Sequence, residues 1–155
     1  MEAHRGIAVS LVSAGMAGRR RGIECSLHEE IDMSSQPKAD VIRAVFAAYL
    51  SNDRSAVERA LAADFRFTSP YDDRIDKATY FERCWRNSDW IERHELERIF
   101  VEGDEAFVTY TCVAKGGRTF RNTEFFAFAG DKVKSIDVYF GATYENGVFV
   151  RQKET

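Results

Sequence analysis

The sequence contains few residues that could bind a metal or form a disulfide framework. Its three cysteines, Cys25, Cys84 and Cys112, lie far apart and form no C-x-x-C pair. Its three histidines are scattered, with no second ligand at helical or hairpin spacing. We therefore expect neither a metal nor another cofactor. Because Cys84 falls on an apolar helix face and Cys112 falls in a strand, we expect buried, reduced thiols at both positions.

The sequence also lacks a strong excess of either charge. Its 22 Lys and Arg residues are set against 25 Asp and Glu residues, which gives a formal net charge of −3 at pH 7. This balance gives no reason to expect a nucleic acid or an anionic membrane surface as a partner.

No segment has the pattern of a secretory signal or a membrane span. The apolar run at 7–17 is too short to cross a bilayer, and the basic cluster at 19–21 follows it instead of preceding it. We therefore expect a cytoplasmic protein. Residues 1–34 are predicted to form a poorly ordered extension. Two alternatives stay open for it: upstream sequence before a natural start at Met33, and a basic arm that docks on a partner.

Proline is scarce, and no repeat or low-complexity segment interrupts residues 38–141. Only two prolines occur, whereas 45% of the residues are hydrophobic, 13% are aromatic and 12 are phenylalanine. A chain of this length and composition can bury one core with a lined interior. We predict a single domain over residues 35–145 and a C-terminal tail over residues 146–155.

The first half of this domain has the pattern of three helices around one short strand. The first helix is predicted at 36–51, where apolar residues form one stripe. A capping box that begins at Ser55 opens a second helix to about residue 62. A short strand at 65–69 follows, and Asp76 then caps a third helix to about residue 86.

Residues 92–141 have the pattern of four consecutive antiparallel strands. The pairs Gly103-Asp104, Gly116-Gly117 and Gly130-Asp131 separate these strands, and each pair has the chemistry of a tight hairpin turn. Three helices followed by a long twisted sheet predict an α+β fold with a cup-shaped cavity.

Two-residue loops at the first two turns would decide which side chains share a face of the sheet. They place Asn122 opposite Thr111 and Glu124 opposite Thr109. One predicted face then carries His94, Arg98, Thr109, Thr111, Asn122, Glu124 and Phe126. The other carries Ile99, Val108, Tyr110, Thr123 and Phe125. Both faces are substantially apolar, so we expect the helices to cover one face and a second copy of the sheet to cover the other, giving a homodimer.

The order of elements, with Ser69-Pro70 after the first strand and residues 136–141 (IDVYFG) in the last, resembles the nuclear transport factor 2-like superfamily. Within it, the sequence is most similar to the SnoaL-like branch, over residues 39–141. The resemblance implies a cone in which three N-terminal helices pack on a curved antiparallel sheet around an apolar cavity. Members of the superfamily include ketosteroid isomerases, epoxide hydrolases, cyclases and non-catalytic binding modules.

The resemblance also assigns roles by position. The general base of ketosteroid isomerases directly precedes the proline, and that residue here is Ser69, which cannot act as a carboxylate base. Their second acid matches Glu124, and their oxyanion-hole tyrosine matches Phe46, with Tyr49 one turn later. SnoaL-type cyclases and epoxide hydrolases use an aspartate in the last strand, where this chain has Val138.

Glu124 and His94 are the catalytic candidates. Desolvation in an aromatic cavity disfavours a carboxylate, so Glu124 is predicted to stay protonated near neutral pH and to act as an acid or hydrogen-bond donor. The structural alternative is a salt bridge between Glu124 and Arg98. His94 would move protons if it lines the cavity, and would otherwise be a partly exposed surface or capping residue.

The substrate-binding candidates are Phe46, Tyr49, Tyr71, Trp85 and Asn122. The aromatic residues are predicted to form the walls of the pocket, with core packing as the alternative. Asn122 would orient a carbonyl of the ligand or, alternatively, hydrogen-bond a neighbouring loop. The adjacent pair Asp72-Asp73 is interpreted as part of a solvated turn.

The third hairpin leaves two registers open. A two-residue loop at 130–131 would pair Asp137 with Glu124 and turn both carboxylates into the cavity. A bulged hairpin would instead turn Ile136, Val138 and Phe140 inward, and the family resemblance favours this second register.

The sequence is therefore consistent with two functions. The leading hypothesis is a domain that binds a small, largely apolar organic molecule and, if it is an enzyme, rearranges protons without a cofactor, as an isomerase, cyclase or hydratase does. The alternative is a non-catalytic ligand-binding or dimerisation module, which the missing bases at Ser69 and Val138 favour.

Overall fold

The computed structural model describes residues 35–151, which begin with three helices. Helix α1 is Ser35–Leu50, α2 is Arg54–Ala60 and α3 is Lys77–Arg83, and a 3₁₀-helix at Trp85–Trp90 follows. Each helix lies close to its predicted place in the sequence. Within the described part of the chain, no helix is long and apolar enough to cross a membrane.

The strands form one curved sheet against which the helices pack. Its members are β1 (Leu61–Ser69), β2 (Asp72–Asp76), β3 (Ile91–Glu102), β4 (Glu105–Ala114), β5 (Arg118–Ala129), β6 (Lys132–Glu145) and β7 (Val148–Val150). The strand order is β2-β1-β6-β5-β4-β3, and β7 pairs with β6. The predicted α+β fold is confirmed. The sheet is mixed, because β1 runs parallel to β6 while the other neighbours are antiparallel.

Aspartate side chains cap the second and third helices. Asp76 accepts a hydrogen bond from the backbone N–H of Thr79 at 2.9 Å, as its position before α3 predicted. At α2 the cap is Asp53, which accepts from the N–H of Ala56 at 3.0 Å. The predicted capping role of Ser55 is wrong, because the helix begins one residue before it.

The segment after Ser69 is a strand and not the predicted solvated turn. Residues 72–76 pair with β1, so the chain reverses over Pro70 and Tyr71. The N–H of Tyr71 donates to Oγ of Ser69 at 3.1 Å and stabilises this reversal. The hairpin turns the side chain of Asp72 inward, where only 9% of it is exposed.

The β4–β5 register differs by one residue from the prediction. Gly116 and Gly117 both have positive φ angles, +104° and +87°, and the connecting loop has three residues instead of two. Tyr110 consequently lies opposite Asn122, and Val108 lies opposite Glu124. Because a slip of one residue reverses the faces of a strand, Val108 and Tyr110 point inward with Glu124. Thr109 and Thr111, which were predicted to point inward, occupy the outer face.

A bulge in β3 separates His94 from Arg98. The predicted pairs Glu102–Glu105 and Arg98–Thr109 are present, but the register shifts between Leu96 and Arg98. His94 therefore pairs with Cys112 on the inner face, whereas Arg98 lies beside Thr109 on the outer face. A salt bridge between Arg98 and Glu124 is excluded, because the sheet separates the two side chains.

The β5–β6 hairpin is bulged, as the second of the two predicted registers requires. The register shifts between Ala127 and Phe128, and Val138 lies opposite Glu124. Val138 is buried on the inner face, and Asp137, which pairs with Phe125, lies on the outer face. The carboxylates of Glu124 and Asp137 therefore do not meet.

The core lies between the helices and the concave face of the sheet. Its fully buried side chains include Ile42, Val57, Phe65, Val108, Cys112, Phe126 and Val133. Cys84 and Cys112 are free, buried thiols, as predicted, and Cys25 lies outside the described residues. Lys38 of α1 connects the helical layer to the β3–β4 turn, since its Nζ donates to the carbonyl oxygen of Gly103 at 2.6 Å and pairs with Asp104 at 2.8 Å.

Candidate functional site

A cavity of about 200 Å³ opens between α1, α3 and the concave face of the sheet. Apolar and aromatic side chains form most of its lining. Its polar groups are few, and they converge from neighbouring strands. This combination is typical of a small-molecule site.

Asn122, Tyr110 and Glu124 form a hydrogen-bonded chain in this cavity. Nδ2 of Asn122 donates to the hydroxyl oxygen of Tyr110 at 3.1 Å, and that hydroxyl donates to Oε1 of Glu124 at 2.7 Å. Oδ1 of Asn122 accepts from the N–H of Gly141 at 3.5 Å, which fixes the orientation of the amide. The hydrogen bonds therefore all run in one direction: Asn122 donates to Tyr110, and Tyr110 donates to the carboxyl group of Glu124.

Burial raises the pKa of Glu124 to about 7, and the hydrogen bond from Tyr110 partly opposes this shift. Among the described residues, Tyr110 alone hydrogen-bonds the carboxyl group, and it contacts Oε1. The other carboxyl oxygen remains for a ligand. Near neutral pH this group exists both as an acid that can donate a proton and as a carboxylate that can accept one.

His94 lies in the same cavity as a neutral imidazole. Burial lowers its pKa to about 4. The ring packs edge-on against Phe46 and Tyr110, with centroids 5.2 Å and 5.4 Å away, and its Nδ1 is buried without a hydrogen-bond partner. At neutral pH His94 therefore supplies an uncharged polar edge to the cavity.

The ring of Tyr49 forms part of the cavity wall, and its hydroxyl makes a hydrogen bond to the backbone instead of facing a ligand. The hydroxyl donates to the backbone carbonyl of Cys84 at 3.0 Å, and burial raises the pKa of this phenol. The ring of Trp85 packs edge-on against Tyr49 at 5.3 Å and contacts Phe81 at 5.6 Å. Trp85 lies behind the wall and does not line the cavity, whereas Trp90 lines it.

Asp72 places a second carboxyl group in the lining. Oδ2 accepts from Oγ of Ser69 at 3.3 Å and from the thiol of Cys84 at 3.9 Å. Oδ1 lies 2.8 Å from Nη1 of Arg83 in an ion pair and has no hydrogen-bond partner among the described residues. The interpretation of Asp72 as part of a solvated turn is therefore wrong.

Aromatic side chains surround the mouth of the cavity. Tyr71 and Phe140 are 67% and 39% exposed and lie 5.4 Å apart, and Trp90, 44% exposed, lies 5.7 Å from Phe120. All four residues line the cavity and are at least partly exposed, so they mark its entrance.

The structure places six of the seven candidate residues in the lining: Phe46, Tyr49, Tyr71, His94, Asn122 and Glu124. Trp85 is the exception. Sequence reasoning missed Tyr110, Asp72 and Trp90. The three-residue loop at 115–117 turns Tyr110 inward, and the two consecutive glycines at 116–117 permit that loop as well as a two-residue one. Within residues 35–151, no group of side chains is arranged to hold a metal ion.

Comparisons with known proteins identify the family. The SnoaL-like domain family matches residues 42–136, more than half of the chain, and the chain belongs to this family. No curated protein matches the sequence.

Solved structures share the fold at low sequence identity. An epoxide hydrolase of M. tuberculosis is 17% identical with a TM-score of 0.59, over 69% of this chain and 84% of that one. A Burkholderia xenovorans protein of the nuclear transport factor 2-like fold is 20% identical with a TM-score of 0.58, over 71% and 87%. A de novo designed protein with a curved β-sheet is 16% identical with a TM-score of 0.60, over 68% and 86%. These similarities establish the nuclear transport factor 2-like fold.

Proposed function

We propose that this SnoaL-like domain binds a small, largely apolar organic molecule in the cavity and that Glu124 transfers a proton to it. The supporting observation is the carboxyl group of Glu124, which faces an apolar cavity with Tyr110 as its hydrogen-bond partner among the described residues. Burial raises its pKa to about 7, so it can donate a proton at neutral pH.

The reaction proposed is a proton rearrangement, as in an isomerisation, a cyclisation or an addition of water. Such reactions need positioned acids and bases and no cofactor. Phe46, Tyr49 and Tyr71 would bind the apolar body of the ligand, Asn122 would hold Tyr110 in place, and His94 would offer a neutral polar contact. The epoxide hydrolase of similar fold shows that this architecture supports catalysis in another protein.

A non-catalytic binding module is the second candidate. Ser69 and Val138 occupy the positions of the two family bases, and neither side chain can accept a proton from carbon. Binding without turnover would follow if no other group serves as the base.

We also propose a cytoplasmic homodimer through the outer face of the sheet. Phe100, Phe107 and Phe125 lie side by side across β3, β4 and β5, and Tyr139 lies on the same face. Phe100 is 68% exposed, Phe107 is 49% exposed and Tyr139 is 58% exposed. A second copy would remove these aromatic side chains from water.

Thermal-shift screening with steroid-like, terpenoid and polyketide-like compounds tests the cavity. Val138→Phe should abolish the stabilisation by any compound that binds, because it fills the cavity. Asp137→Asn, on the adjacent residue of the outer face, is the matched control and should leave the stabilisation unchanged. Product analysis of the bound compounds by NMR then separates the two candidates. With an enzyme, Glu124→Gln should retain binding and lose turnover. Equal loss of stabilisation in Val138→Phe and Asp137→Asn would contradict binding in the cavity.

A further inference from the structure

The charged groups in the described part of the cavity lining are acidic. Among the described residues that line it there are two carboxyl groups and no lysine or arginine. Asp72 is neutralised from outside the lining by Arg83, whose side chain is 54% exposed, at 2.8 Å. Glu124 has no ion pair within the described part of the chain. The cavity thus offers one acidic group whose charge has no counter-ion.

We propose that the polar group of the ligand is a basic nitrogen, an aliphatic amine on an apolar body, which binds opposite Glu124. This inference rests on the binding of a small organic molecule in the cavity, the part of the proposed function for which it names the ligand class. When the amine enters neutral, its lone pair takes the proton from the free carboxyl oxygen of Glu124. An N–H bond forms, an O–H bond breaks, and an ammonium–carboxylate pair remains. When the amine enters as ammonium, Glu124 releases its proton to solvent.

Ligands of negative charge do not fit this arrangement. A carboxylate or phosphate would be desolvated beside Glu124 and Asp72 without any cation of the lining to pair with it. A protonated amine, in contrast, gains a charge-assisted hydrogen bond from the same desolvated surroundings.

The aromatic mouth favours the same charge. Trp90 with Phe120, and Tyr71 with Phe140, form two ring pairs that line the route from solvent to Glu124. The faces of aromatic rings attract cations, and tryptophan does so most strongly. An ammonium group therefore meets favourable surfaces both at the mouth and at Glu124.

The other titratable side chains around Glu124 add no positive charge at pH 6–8. On β3, burial lowers the pKa of His94 to about 4. On β4, the pKa values of Tyr110 and Cys112 are raised by burial. Burial also raises the pKa values of Tyr49 in α1, of Tyr80 in α3 and of Cys84, which directly follows α3. The β6 residues of the lining, Ile136, Val138 and Phe140, carry no titratable group.

Three ligands with one apolar body test the inference: tryptamine, 3-propylindole and indole-3-propionate. Calorimetry at pH 8 should give tryptamine at least about tenfold tighter binding than neutral 3-propylindole, and no binding of the carboxylate. At pH 6, titrations in buffers of different ionisation enthalpy should show that tryptamine releases about one proton per site, because Glu124 is then mostly protonated. Little proton release is expected at pH 8.

Glu124→Gln should bind tryptamine and 3-propylindole about equally and release no proton. Asp137→Asn removes a carboxylate from the outer face and should keep the preference for the amine. Binding of 3-propylindole as tight as that of tryptamine in the wild-type protein, or binding of the carboxylate, would overturn the inference and leave the proposed function standing. If none of the three ligands bound, the result would count against both the inference and the proposed function. The proton release is measured on the unaltered protein, so the test does not depend on the folding of a variant.

Discussion

The hydroxyl of Tyr110 donates a 2.7 Å hydrogen bond to Oε1 of Glu124, diagonally across β4 and β5. The two residues are diagonal neighbours because Tyr110 lies opposite Asn122, two positions before Glu124. This contact orients the carboxyl group and leaves one of its oxygens for a ligand. It also opposes the effect of burial on the pKa of Glu124.

Replacing Tyr110 with phenylalanine should raise the pKa of Glu124 above about 7, because the hydrogen bond that lowers it is lost. The pKa can be followed by NMR of the Glu124 side-chain carboxyl carbon. The variant should also lose about 1–2 kcal/mol of stability, since Nδ2 of Asn122 loses its acceptor. Thr109→Val, the neighbouring position on the outer face, is the control. A lower pKa in Tyr110→Phe would contradict the assigned direction of the hydrogen bond.

Glu124 and His94 should have opposite effects on stability as the pH changes. The pKa of Glu124 is about 7 when folded against 4.5 when unfolded, so the folded state holds more protons and its stability falls as the pH rises from 4.5 to 7. The pKa of His94 is about 4 when folded against 6.5 when unfolded, so its contribution rises from pH 4 to 6.5. Each effect amounts to about 3–4 kcal/mol at about 1.4 kcal/mol per pH unit, and in the wild-type protein they largely cancel.

Single substitutions should separate these two contributions. In Glu124→Gln, the free energy of unfolding from urea titrations should rise between pH 4 and 6.5. In His94→Gln, it should fall between pH 4.5 and 7. The double variant should show neither trend, so it controls for the remaining titratable groups. Slopes of the same sign in both single variants would show that at least one of the two pKa shifts is absent.

The fold was predictable from the sequence where local chemistry decides it. Asp76 marks the start of α3, and Gly103-Asp104 sets a two-residue turn with Glu102 opposite Glu105. The β4–β5 register was not predictable in this way, because two consecutive glycines permit loops of two or three residues and the flanking sequence suits both. This difference of one residue in loop length decides whether Tyr110 or Thr109 faces the cavity.

The carboxylate of Asp72 is buried by contacts that the neighbouring sequence does not encode. An Asp-Asp pair after Ser69-Pro70 has the local chemistry of a turn, but Asp72 is also bound by groups that are distant in the sequence. Arg83 ends α3 and Cys84 directly follows it, and they reach Asp72 only through the packing of that helix on β1 and β2. A contact of this kind depends on tertiary structure and has no local pattern.

Gly141→Ala should destabilise the protein and disturb the Asn122–Tyr110–Glu124 chain. A Cβ at this position would overlap the backbone carbonyl oxygen of Arg121, because the β5–β6 ladder is irregular between Phe120 and Asn122. Moving the backbone would also shift the N–H that donates to Asn122. We expect a loss of about 1–3 kcal/mol in chemical unfolding. Lys134→Ala, an exposed position of the same strand, should change the stability little. A variant of Gly141 as stable as the wild type would show that the strands relax there without cost.

Phe107→Arg should convert the proposed homodimer into a monomer. Phe107 lies in the centre of the aromatic outer face, with its ring 5.1 Å from that of Phe125, and two symmetry-related arginines would carry like charges into a desolvated interface. Sedimentation at micromolar concentration should show twice the 17.7 kDa chain mass for the wild type and a single chain for the variant. Phe149→Arg replaces an aromatic side chain that is 58% exposed on β7 and should remain dimeric. A monomeric wild-type protein would exclude the dimer. Equal dissociation of both variants would place the contact elsewhere, because only Phe107 belongs to the outer face of β3, β4 and β5.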